Sequence, residues 1–351
     1  MKNLVVKAEH DYVIKIDVNW QDEVSQLIQG RSKVAIITSA GFSPDLKALL
    51  QQESDVHHFT VPDGEAGKSF STLSSLWDWL GAAGFTRSDL IVAVGGGALT
   101  DLAGFASATW LRGIDWVAVP TSLAGMVDAS IGGKTGINSD YGKNLIGAFH
   151  SPIAVVIDPM WLRTLSNRDF SAGMAEVIKC GFIKDAEILN ILSSLNVETL
   201  RSDEERVVNL IYRAAKVKSE VVSEDFKESF AREILNYGHT LGHAVEIHSK
   251  FKLRHGEAVA IGLVYAAELA FARSMITSEV VDLHRSLLTN LGLPTTYERD
   301  AWSSLRPLLA LDKKSRGETI RFVALTEIAA TSRLEDLTSG ELDAAYERIC
   351  S

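Results

Sequence analysis

Residues 90–101 read Leu90-Ile-Val-Ala-Val-Gly-Gly-Gly-Ala-Leu-Thr-Asp101, an apolar run followed by a glycine-rich turn and the start of a helical pattern. Five consecutive apolar residues predict a strand buried on both faces, as in a parallel sheet. Glycines at such a turn let backbone amides approach a pyrophosphate at a helix N-terminus. Thr100 stands where the dinucleotide fingerprint has its third glycine, so an ordinary strand-to-helix turn remains a second interpretation.

Similar apolar runs recur around this stretch, with helical patterns between them. The predicted strands are residues 34–38, 90–94, 116–119 and 154–157, and the predicted helices between them include 71–83 and 99–110. This alternation predicts parallel βαβ units in an open sheet with helices on both faces. We therefore expect an α/β domain over residues 1–160.

The second half of the sequence differs from the first, because long patterns of helical periodicity dominate it. They cover residues 172–182, 204–222, 234–247, 256–272 and 279–291, and a strand is predicted at 320–325. We expect a mainly α-helical domain over residues 161–351, which is a normal domain size.

Composition narrows the class of protein. The 351 residues carry a net charge of −10, which argues against a partner that is nucleic acid or an anionic membrane. Two distant cysteines, Cys180 and Cys350, fit a reduced compartment. The N-terminus lacks a signal-peptide pattern, and the apolar run 258–272 is interrupted by Glu268. We expect a soluble, cytoplasmic protein.

A histidine-rich stretch, Asn236-Tyr-Gly-His-Thr-Leu-Gly-His-Ala-Val-Glu246, is followed by His255-Gly-Glu257. Imidazole and carboxylate are the ligands of zinc and similar ions. His239 and His243 are four residues apart and share one helix face, so both could bind one metal. A hydrogen-bonded core histidine is the alternative for each, and His248 is assigned to the surface.

Glu176 and Lys179 lie one turn apart on a predicted helix. A surface ion pair is the ordinary interpretation of this spacing. The neighbouring residues are apolar, however, which indicates a buried helix whose carboxylate needs a partner, and a metal is one such partner.

Three further segments place charged residues beside glycines. They are Asp63-Gly-Glu-Ala-Gly-Lys68, Asp128-Ala-Ser-Ile-Gly-Gly-Lys134 and Gly142-Lys-Asn144. We interpret the two later lysines as lying in an apolar, non-solvated context that suits a hydroxylated anionic ligand. A solvated turn explains the first segment equally well.

Together these segments resemble the 3-dehydroquinate synthase family over nearly the whole chain. The motifs that carry the resemblance are Met126-Val-Asp-Ala-Ser-Ile-Gly-Gly-Lys-Thr135, Gly142-Lys-Asn-Leu-Ile-Gly-Ala-Phe149, Gly173-Met-Ala-Glu-Val-Ile-Lys179, Leu235-Asn-Tyr-Gly-His-Thr-Leu-Gly-His-Ala-Val-Glu246 and His255-Gly-Glu-Ala-Val-Ala-Ile-Gly262. The resemblance implies a Rossmann-like NAD domain followed by a helical metal-binding domain, and a homodimer.

The resemblance also implies roles for individual residues. The ligands of a zinc or cobalt ion would be Glu176, His239 and His255, which leaves His243 to the active site. NAD would be bound by Asp63, Gly64, Glu65, Lys68, Gly96, Gly97, Asp101, Thr121, Ser122, Lys134, Lys143 and Thr164. The substrate would be bound by Arg112, Asp128, Lys134, Asn144, Lys179, Lys218, Arg232, Asn236 and one lysine of the Lys313–Lys314 pair, of which we name Lys314 while the choice stays open.

The family's reaction converts 3-deoxy-arabino-heptulosonate 7-phosphate to 3-dehydroquinate and phosphate, with NAD reduced and reoxidised in each cycle. The resemblance implies that basic residues neutralise the substrate's anionic groups. It leaves open whether His243 or the substrate's own phosphate moves the critical proton.

Two positions depart from the family pattern. Ser39 replaces an acidic residue after the strand at 34–38, and Phe226 follows Asp225 where an Asp-Glu pair is common. The alternatives to this function are another sugar-phosphate cyclase and an iron-type polyol dehydrogenase. A non-enzymatic paralogue is disfavoured, because it would be expected to have lost ligands that this chain retains.

Overall fold

The computed structural model describes residues 1–50, 52–228, 231–316 and 320–351, with the side chains of residues 310–316 also outside the description. The chain forms two compact units. The first comprises Met1–Leu165 and Lys218–Glu228, and the second comprises Ser166–Val217 and Ser229–Ser351. These ranges lie close to the predicted division at residue 160, but residues 218–228 group with the first unit.

The first unit is built on a seven-stranded sheet and a separate hairpin. The strands are β1 (Lys2–Val6), β2 (Tyr12–Ile16), β3 (Lys33–Ser39), β4 (Asp55–Val61), β5 (Leu90–Gly95), β6 (Asp115–Pro120), β7 (Lys134–Ser139), β8 (Gly142–Phe149) and β9 (Ala154–Ile157). The sheet order is β1-β2-β9-β6-β5-β3-β4, and β7 pairs with β8 alone. Every neighbouring pair in the large sheet is parallel except β1 with β2.

The order of these strands creates a switch point between β3 and β5. From β3 the chain continues to β4 on one side, and then crosses to β5 and β6 on the other side. In open α/β sheets the crevice at the carboxyl ends of such strands is where ligands bind. The switch point therefore places Ser39 and Gly95, the last residues of β3 and β5, at the mouth of a crevice.

The helices of the first unit are α1 (Trp20–Leu27), α2 (Lys47–Leu50), α3 (Phe70–Ala82) and α4 (Gly97–Thr109). Helix α4 is the central one, since most of its residues are buried. A Cβ atom at Gly104 would lie 2.4 Å from Thr135 Cγ2 and 2.9 Å from Trp116. This close approach holds α4 against both β6 and the β7–β8 hairpin.

The second unit is mainly helical. Its helices are α5 (Asn167–Ile183), α6 (Glu187–Leu192), α7 (Val197–Arg201), the first part of α8 (Glu204–Glu224), α9 (His239–His248), α10 (His255–Ala272), α11 (Ser278–Asn290), α12 (Trp302–Arg316) and α13 (Ser339–Glu347), with a small hairpin of β10 (Phe322–Glu327) and β11 (Ala330–Leu334).

Helix α10 forms the core of this unit. In the described part of the chain it is the one helix that is long and apolar enough to cross a membrane, but 83% of it is buried inside the protein, as in an ordinary core helix. A Cβ atom at Gly262 would come within 1.8 Å of the Gly238 carbonyl oxygen. The α10 backbone can therefore pack directly on the turn that precedes α9.

The predicted fold class is confirmed: a parallel α/β unit is followed by a mainly helical one. The predicted strands at 34–38, 90–94, 116–119 and 154–157 all form. The single helix predicted over 234–247 is wrong, because a 3₁₀ turn (Ala231–Asn236) precedes Gly238. Gly238 has φ of 79°, a left-handed conformation that favours glycine, and α9 begins one residue later.

Candidate metal centre and nucleotide cleft

Three helices of the second unit bring Glu176, His239 and His255 together. Glu176 lies in the middle of α5, while the two histidines are the first residues of α9 and α10. One ligand atom from each side chain lies within 4.8 Å of the other two. The Nε2 atoms of His239 and His255 are 3.4 and 3.3 Å from the same oxygen of Glu176, Oε1.

These distances fit a bound cation. Zinc bonds to imidazole and carboxylate are about 2.0–2.1 Å long, and the edge of a tetrahedron with such bonds is about 3.3–3.4 Å. The two nitrogens already stand at that separation from Glu176 Oε1. Two histidines and one carboxylate form a three-ligand set of the kind that leaves a fourth position for water or substrate.

Burial and charge decide the ionisation of this cluster. Burial would raise the pKa of Glu176, but the Lys179 ammonium and His239 hold that pKa well below its usual range. Glu176 is therefore an ionised carboxylate. Burial, followed by the charge of Lys179, lowers the pKa of His239, so its ring is neutral and able to coordinate.

His255 differs from His239. Burial opposes its charge, but hydrogen bonds to the carboxylates of Glu176 and Glu246 outweigh burial and raise the pKa of His255 to about 10. The negative potential at this ring that favours a proton also favours a metal cation, because both compete for the same nitrogen.

The other predicted active-site residues of the second unit lie on α5, on α9 or on the turn before α9, apart from Lys314 on α12. Lys179 is 1% exposed and its ammonium pairs with Glu176 Oε2. Arg232 is buried and Asn236 is half-buried, both on the 3₁₀ turn before α9. The His243 ring is exposed, and its centroid lies 5.3 Å from that of His239. The Lys314 side chain lies outside the described residues.

The first unit contains a cleft at the switch point of its sheet. The cleft is lined by Ser39, Val61, Pro62, Asp63, Gly64, Gly67, Gly96, Ala98, Leu99 and Leu102. Helix α4 begins here, and its N-cap Gly96 has no side chain to cap the first amides. Those amides can therefore donate to an anion. A Cβ at Gly97 would come within 2.9 Å of Ala129 Cβ, so this turn requires a glycine.

Lys68 lies behind this cleft in a network of polar side chains. Its side chain is 2% exposed, and its ammonium donates to Asp101 at 2.6 Å and also to Asn144 Oδ1. Burial raises the pKa of Asp101, and Lys68 opposes that effect. Lys68 thus links α4 to the β7–β8 hairpin, and a contact of Lys68 with a phosphate stays a prediction.

Around Glu65 a second set of contacts closes the same loop. Asn138 Nδ2 donates to Glu65 Oε2 at 2.7 Å, and the Lys143 ammonium lies 3.6 Å from Glu65 Oε1. Asn144 has φ of 57°, a left-handed conformation that asparagine tolerates. The loop 63–68 and the hairpin, which are far apart in sequence, therefore present their polar groups together.

The residues 218–228 bring two further charged groups to the first unit. Lys218 Nζ is 2.5 Å from Asp128 Oδ1, and Lys134 pairs with Glu228. The expected apolar, non-solvated context is wrong for Lys134 and holds only in part for Lys143, whose side chain is 26% exposed beside the Glu65 carboxylate. Lys134 is 46% exposed at its side chain, and most of β8 faces solvent, because the hairpin lies outside the main sheet.

The remaining predicted contacts lie at the ends of elements. Arg112 is exposed with φ of 66°, next to Leu111 with φ of 48°. Thr121 and Ser122 follow β6, where the Thr121 amide donates to Gly95 O at 2.9 Å. Thr164 is exposed and donates to the Trp161 carbonyl at 2.7 Å. None of these four lines the cleft described above.

Two residues in or beside the histidine-rich stretch received no functional role from the sequence alone. Glu246 Oε2 lies 3.1 Å from His255 Nδ1. The sequence did indicate that Glu246 could lie near the cluster, because a spacing of seven residues puts Glu246 and His239 on one helix face. His248, assigned to the surface, is half-buried and bonds the Tyr297 hydroxyl at 2.9 Å. No sequence pattern indicated that partner, which lies far along the chain.

Comparison with known protein families gives two adjacent matches. The model described as 3-dehydroquinate synthase N-terminal matches residues 58–172, and the model described as 3-dehydroquinate synthase C-terminal matches residues 173–315. A curated 3-dehydroquinate synthase from Corynebacterium diphtheriae is 47% identical over 355 residues, with 99% of both chains covered. Another, from Thermobifida fusca, is 52% identical over 306 residues, covering 87% of this chain and 83% of the relative.

Solved structures share the architecture. A 2-deoxy-scyllo-inosose synthase in complex with carbaglucose-6-phosphate, NAD⁺ and Co²⁺ superposes with a TM-score of 0.88 at 25% identity, covering 99% of this chain and 100% of its own. A 2-epi-5-epi-valiolone synthase from Streptomyces hygroscopicus with NAD⁺ and Zn²⁺ gives 0.86 at 26%, covering 99% and 98%. An iron-containing alcohol dehydrogenase from Corynebacterium glutamicum gives 0.67 at 15%, covering 100% and 97%, which shows a shared fold alone.

Proposed function

The chain belongs to the 3-dehydroquinate synthase family, and we propose on this premise that it is an NAD- and metal-dependent enzyme that converts 3-deoxy-arabino-heptulosonate 7-phosphate to 3-dehydroquinate and phosphate. The reaction makes it a carbon–oxygen lyase of the shikimate pathway, which leads to the aromatic amino acids. The observation that carries the proposal is the Glu176–His239–His255 cluster within a chain matched by both family models.

NAD binding is supported by the cleft at the switch point of the first unit. Its glycine-rich rim lets backbone come close to a pyrophosphate, and the N-terminus of α4 has no side-chain cap that would compete with an anion. Asp63 lies at the rim, where a carboxylate can accept hydrogen bonds from ribose hydroxyls. Ser39 lines the same cleft but carries no charge, so it contributes a single hydroxyl there.

The metal site is supported by the donor set and the spacing of its atoms. When bound, a zinc or cobalt ion supplies Lewis-acid polarisation of a substrate oxygen. Glu176 stays ionised beside Lys179, and His239 stays neutral, so both are ready to coordinate without first losing a proton. Lys179, fixed on α5 against Glu176, keeps an ammonium next to the centre.

Substrate capture by an acidic protein needs local positive charge. We assign this work to Lys134, Lys179, Lys218, Arg112 and Arg232, with Asp128, Asn144 and Asn236 directed at hydroxyl groups. Lys218 pairs with Asp128 at 2.5 Å, and an anionic substrate group could take over that ammonium. We also assign to His243, which is exposed beside His239, the role of moving or orienting a proton.

The alternatives predict different relatives. The chain is 47% identical to a curated 3-dehydroquinate synthase over its length, but 25–26% identical to the two other cyclases and 15% identical to the alcohol dehydrogenase. The main interpretation is therefore favoured over both alternatives. We further propose a cytoplasmic homodimer that binds neither nucleic acid nor membrane, from the charge of −10 and the family resemblance.

One incubation tests this proposal. The purified chain is mixed with the heptulosonate phosphate, NAD⁺ and Zn²⁺, and phosphate, 3-dehydroquinate and NADH are followed together. We expect phosphate and 3-dehydroquinate in equal amounts with no net NADH. Accumulation of NADH with a simple alcohol would instead indicate a dehydrogenase, and phosphate release with a different carbocycle would indicate another cyclase.

A further inference from the structure

Glu246 shares helix α9 with one histidine of the metal cluster, His239, and contacts the other, His255, on α10. It lies seven residues after His239 on α9, so both side chains project from the same face. Its side chain is buried, with the residue 4% exposed. Its Oε2 atom lies 3.1 Å from His255 Nδ1, on the side of the ring opposite the nitrogen that faces Glu176.

We propose that Glu246 is a positioning residue for the metal centre: its carboxylate holds the His255 ring with Nδ1–H toward Glu246 and Nε2 toward Glu176, and thereby strengthens cation binding by the cluster. The inference rests on the proposed function only in placing a divalent cation at this cluster.

Comparison of the two histidines shows why this contact matters. His239 is 10% exposed at its side chain, and its Nδ1 faces the backbone oxygen of Tyr237 at 3.2 Å. His255 is 39% exposed, so packing restrains its ring less. The second torsion of histidine is broad, and an exposed ring needs a hydrogen bond to select one orientation.

The two acceptors also differ in strength. A carbonyl is neutral, whereas the Glu246 carboxylate makes a charge-assisted hydrogen bond, which is roughly twice as strong as a neutral one. Such carboxylate–histidine pairs fix the ring tautomer and raise the basicity of the ligating nitrogen. His255, the more exposed ligand, therefore has the stronger support.

The backbone around Glu246 keeps this carboxylate in place. The Glu246 carbonyl accepts a hydrogen bond from Phe251 N at 2.9 Å, which fixes the turn after α9. Phe251 has φ of 59°, and the chain then enters α10 at His255. One short connection, residues 249–254, thus joins the helix that carries the supporting carboxylate to the helix that begins with the ligand.

The test uses Glu246→Gln and Glu246→Ala in the full chain, with Zn²⁺ and Co²⁺ affinities measured by competition with a chromophoric chelator. We expect Glu246→Ala to weaken metal binding about 10–100-fold. We expect Glu246→Gln, which keeps an oxygen acceptor but loses the charge, to fall between Ala and the unaltered chain. Excess metal should restore turnover in both variants.

The matched control is Glu268→Gln. Glu268 is a buried carboxylate of α10 that pairs with Arg285 at 2.8 Å and Arg348 at 3.2 Å. Its loss should lower the free energy of unfolding without changing metal affinity. If Glu246→Ala fails to fold, the nearly isosteric Glu246→Gln decides the matter. An affinity of a folded Glu246→Gln within twofold of the unaltered chain overturns the proposal.

The same experiment separates this inference from the proposed function. If the Glu246 variants bind metal more weakly but the unaltered, metal-loaded chain releases no phosphate from the heptulosonate phosphate, the positioning role is upheld and the function is refuted. If those variants bind metal normally and the unaltered chain forms 3-dehydroquinate, the positioning role is refuted and the function is upheld.

Discussion

Gly256 lies so close to Ala172 that a Cβ atom at position 256 would come within 1.7 Å of the Ala172 carbonyl oxygen. The two residues belong to α10 and α5, and each stands next to a metal ligand. Gly256 directly follows His255, and Ala172 precedes Glu176 by one helical turn. This contact sets the distance between two of the three ligands.

We predict that Gly256→Ala destabilises the protein and weakens metal binding together. The added methyl group overlaps backbone, so α5 and α10 must separate, which costs about 3 kcal/mol or more. Urea unfolding and metal titration measure the two effects. Gly340→Ala is the control, because that position is open and a Cβ there meets nothing within 4 Å. A Gly256→Ala variant as stable as the control would contradict the prediction, because it would show that α5 and α10 separate at little cost in free energy.

We predict that His239→Ala abolishes metal binding and phosphate release while the fold persists. The variant removes one of three ligands from a nearly buried site, and two ligands hold a cation poorly. His248→Ala on the same helix loses only a bond to Tyr297 and should keep both properties. Equilibrium dialysis and a phosphate assay provide the measurements, and full turnover of His239→Ala would refute the ligand assignment.

We predict that Lys134→Ala mainly impairs substrate capture and lowers kcat/KM by about 10-fold or more, as expected when a charge-assisted contact is lost. Lys134 is half-exposed and pairs with Glu228, so the fold does not depend on it. Lys47→Ala removes the same charge from an exposed position on α2 and controls for net charge. An unchanged kcat/KM in Lys134→Ala would rule out the role.

We predict that chelation inactivates the enzyme and that zinc or cobalt restores activity. The two histidines and one carboxylate form an open three-ligand site, from which a chelator can remove the ion. Phosphate release is measured before chelation, after it, and after each metal is added back. Activity that is indifferent to chelator would contradict a metal-dependent reaction.

We predict that part of the stability is lost between about pH 6.5 and pH 4 because of His284. Burial lowers the pKa of His284 from 6.5 to about 4, with an opposing hydrogen bond to Val280 O and a small effect of Arg285. Since the folded pKa is the lower one, the neutral ring's contribution is complete above pH 6.5 and lost as pH falls to 4, amounting to about 3 kcal/mol.

His284→Gln tests this prediction. The neutral His284 ring bonds Tyr237 at 2.8 Å and stacks on Phe182 with centroids 3.5 Å apart, so the variant is less stable at pH 7. Its free energy of unfolding should fall less between pH 7 and pH 4.5 than that of the unaltered chain. Equal losses in the two proteins would assign the pH dependence to other groups.

Sequence patterns predicted the elements whose periodicity matches their burial. All six residues of β5 are buried, and a continuous apolar run is the pattern that such a strand requires. The β7–β8 hairpin was not predicted, because its apolar residues Leu145 and Ile146 face solvent and its glycines resemble a loop. Exposure of that kind depends on tertiary structure.

The candidate site shows the same limit. Residues alone did not separate His239 from His243, since both lie on one face of α9. The choice depends on where α5 and α10 place Glu176 and His255, which local sequence does not encode. The partners of Lys68 and His248 likewise come from segments distant in sequence.

Helix α8 belongs partly to each of the two units, and this affects how the chain can be synthesised and divided into fragments. The end of α8 and the residues just after it, Lys218–Glu228, belong to the same compact unit as Met1–Leu165. There Lys218 pairs with Asp128, Glu228 pairs with Lys134, and the Phe226 ring lies 5.4 Å from that of Phe149. A ribosome must therefore synthesise more than fifty residues of the other unit before this one has all its parts. A chain cut at Leu165 lacks the segment that completes its charged surface. A single cut in the gene therefore cannot yield two fragments that each encode one whole unit.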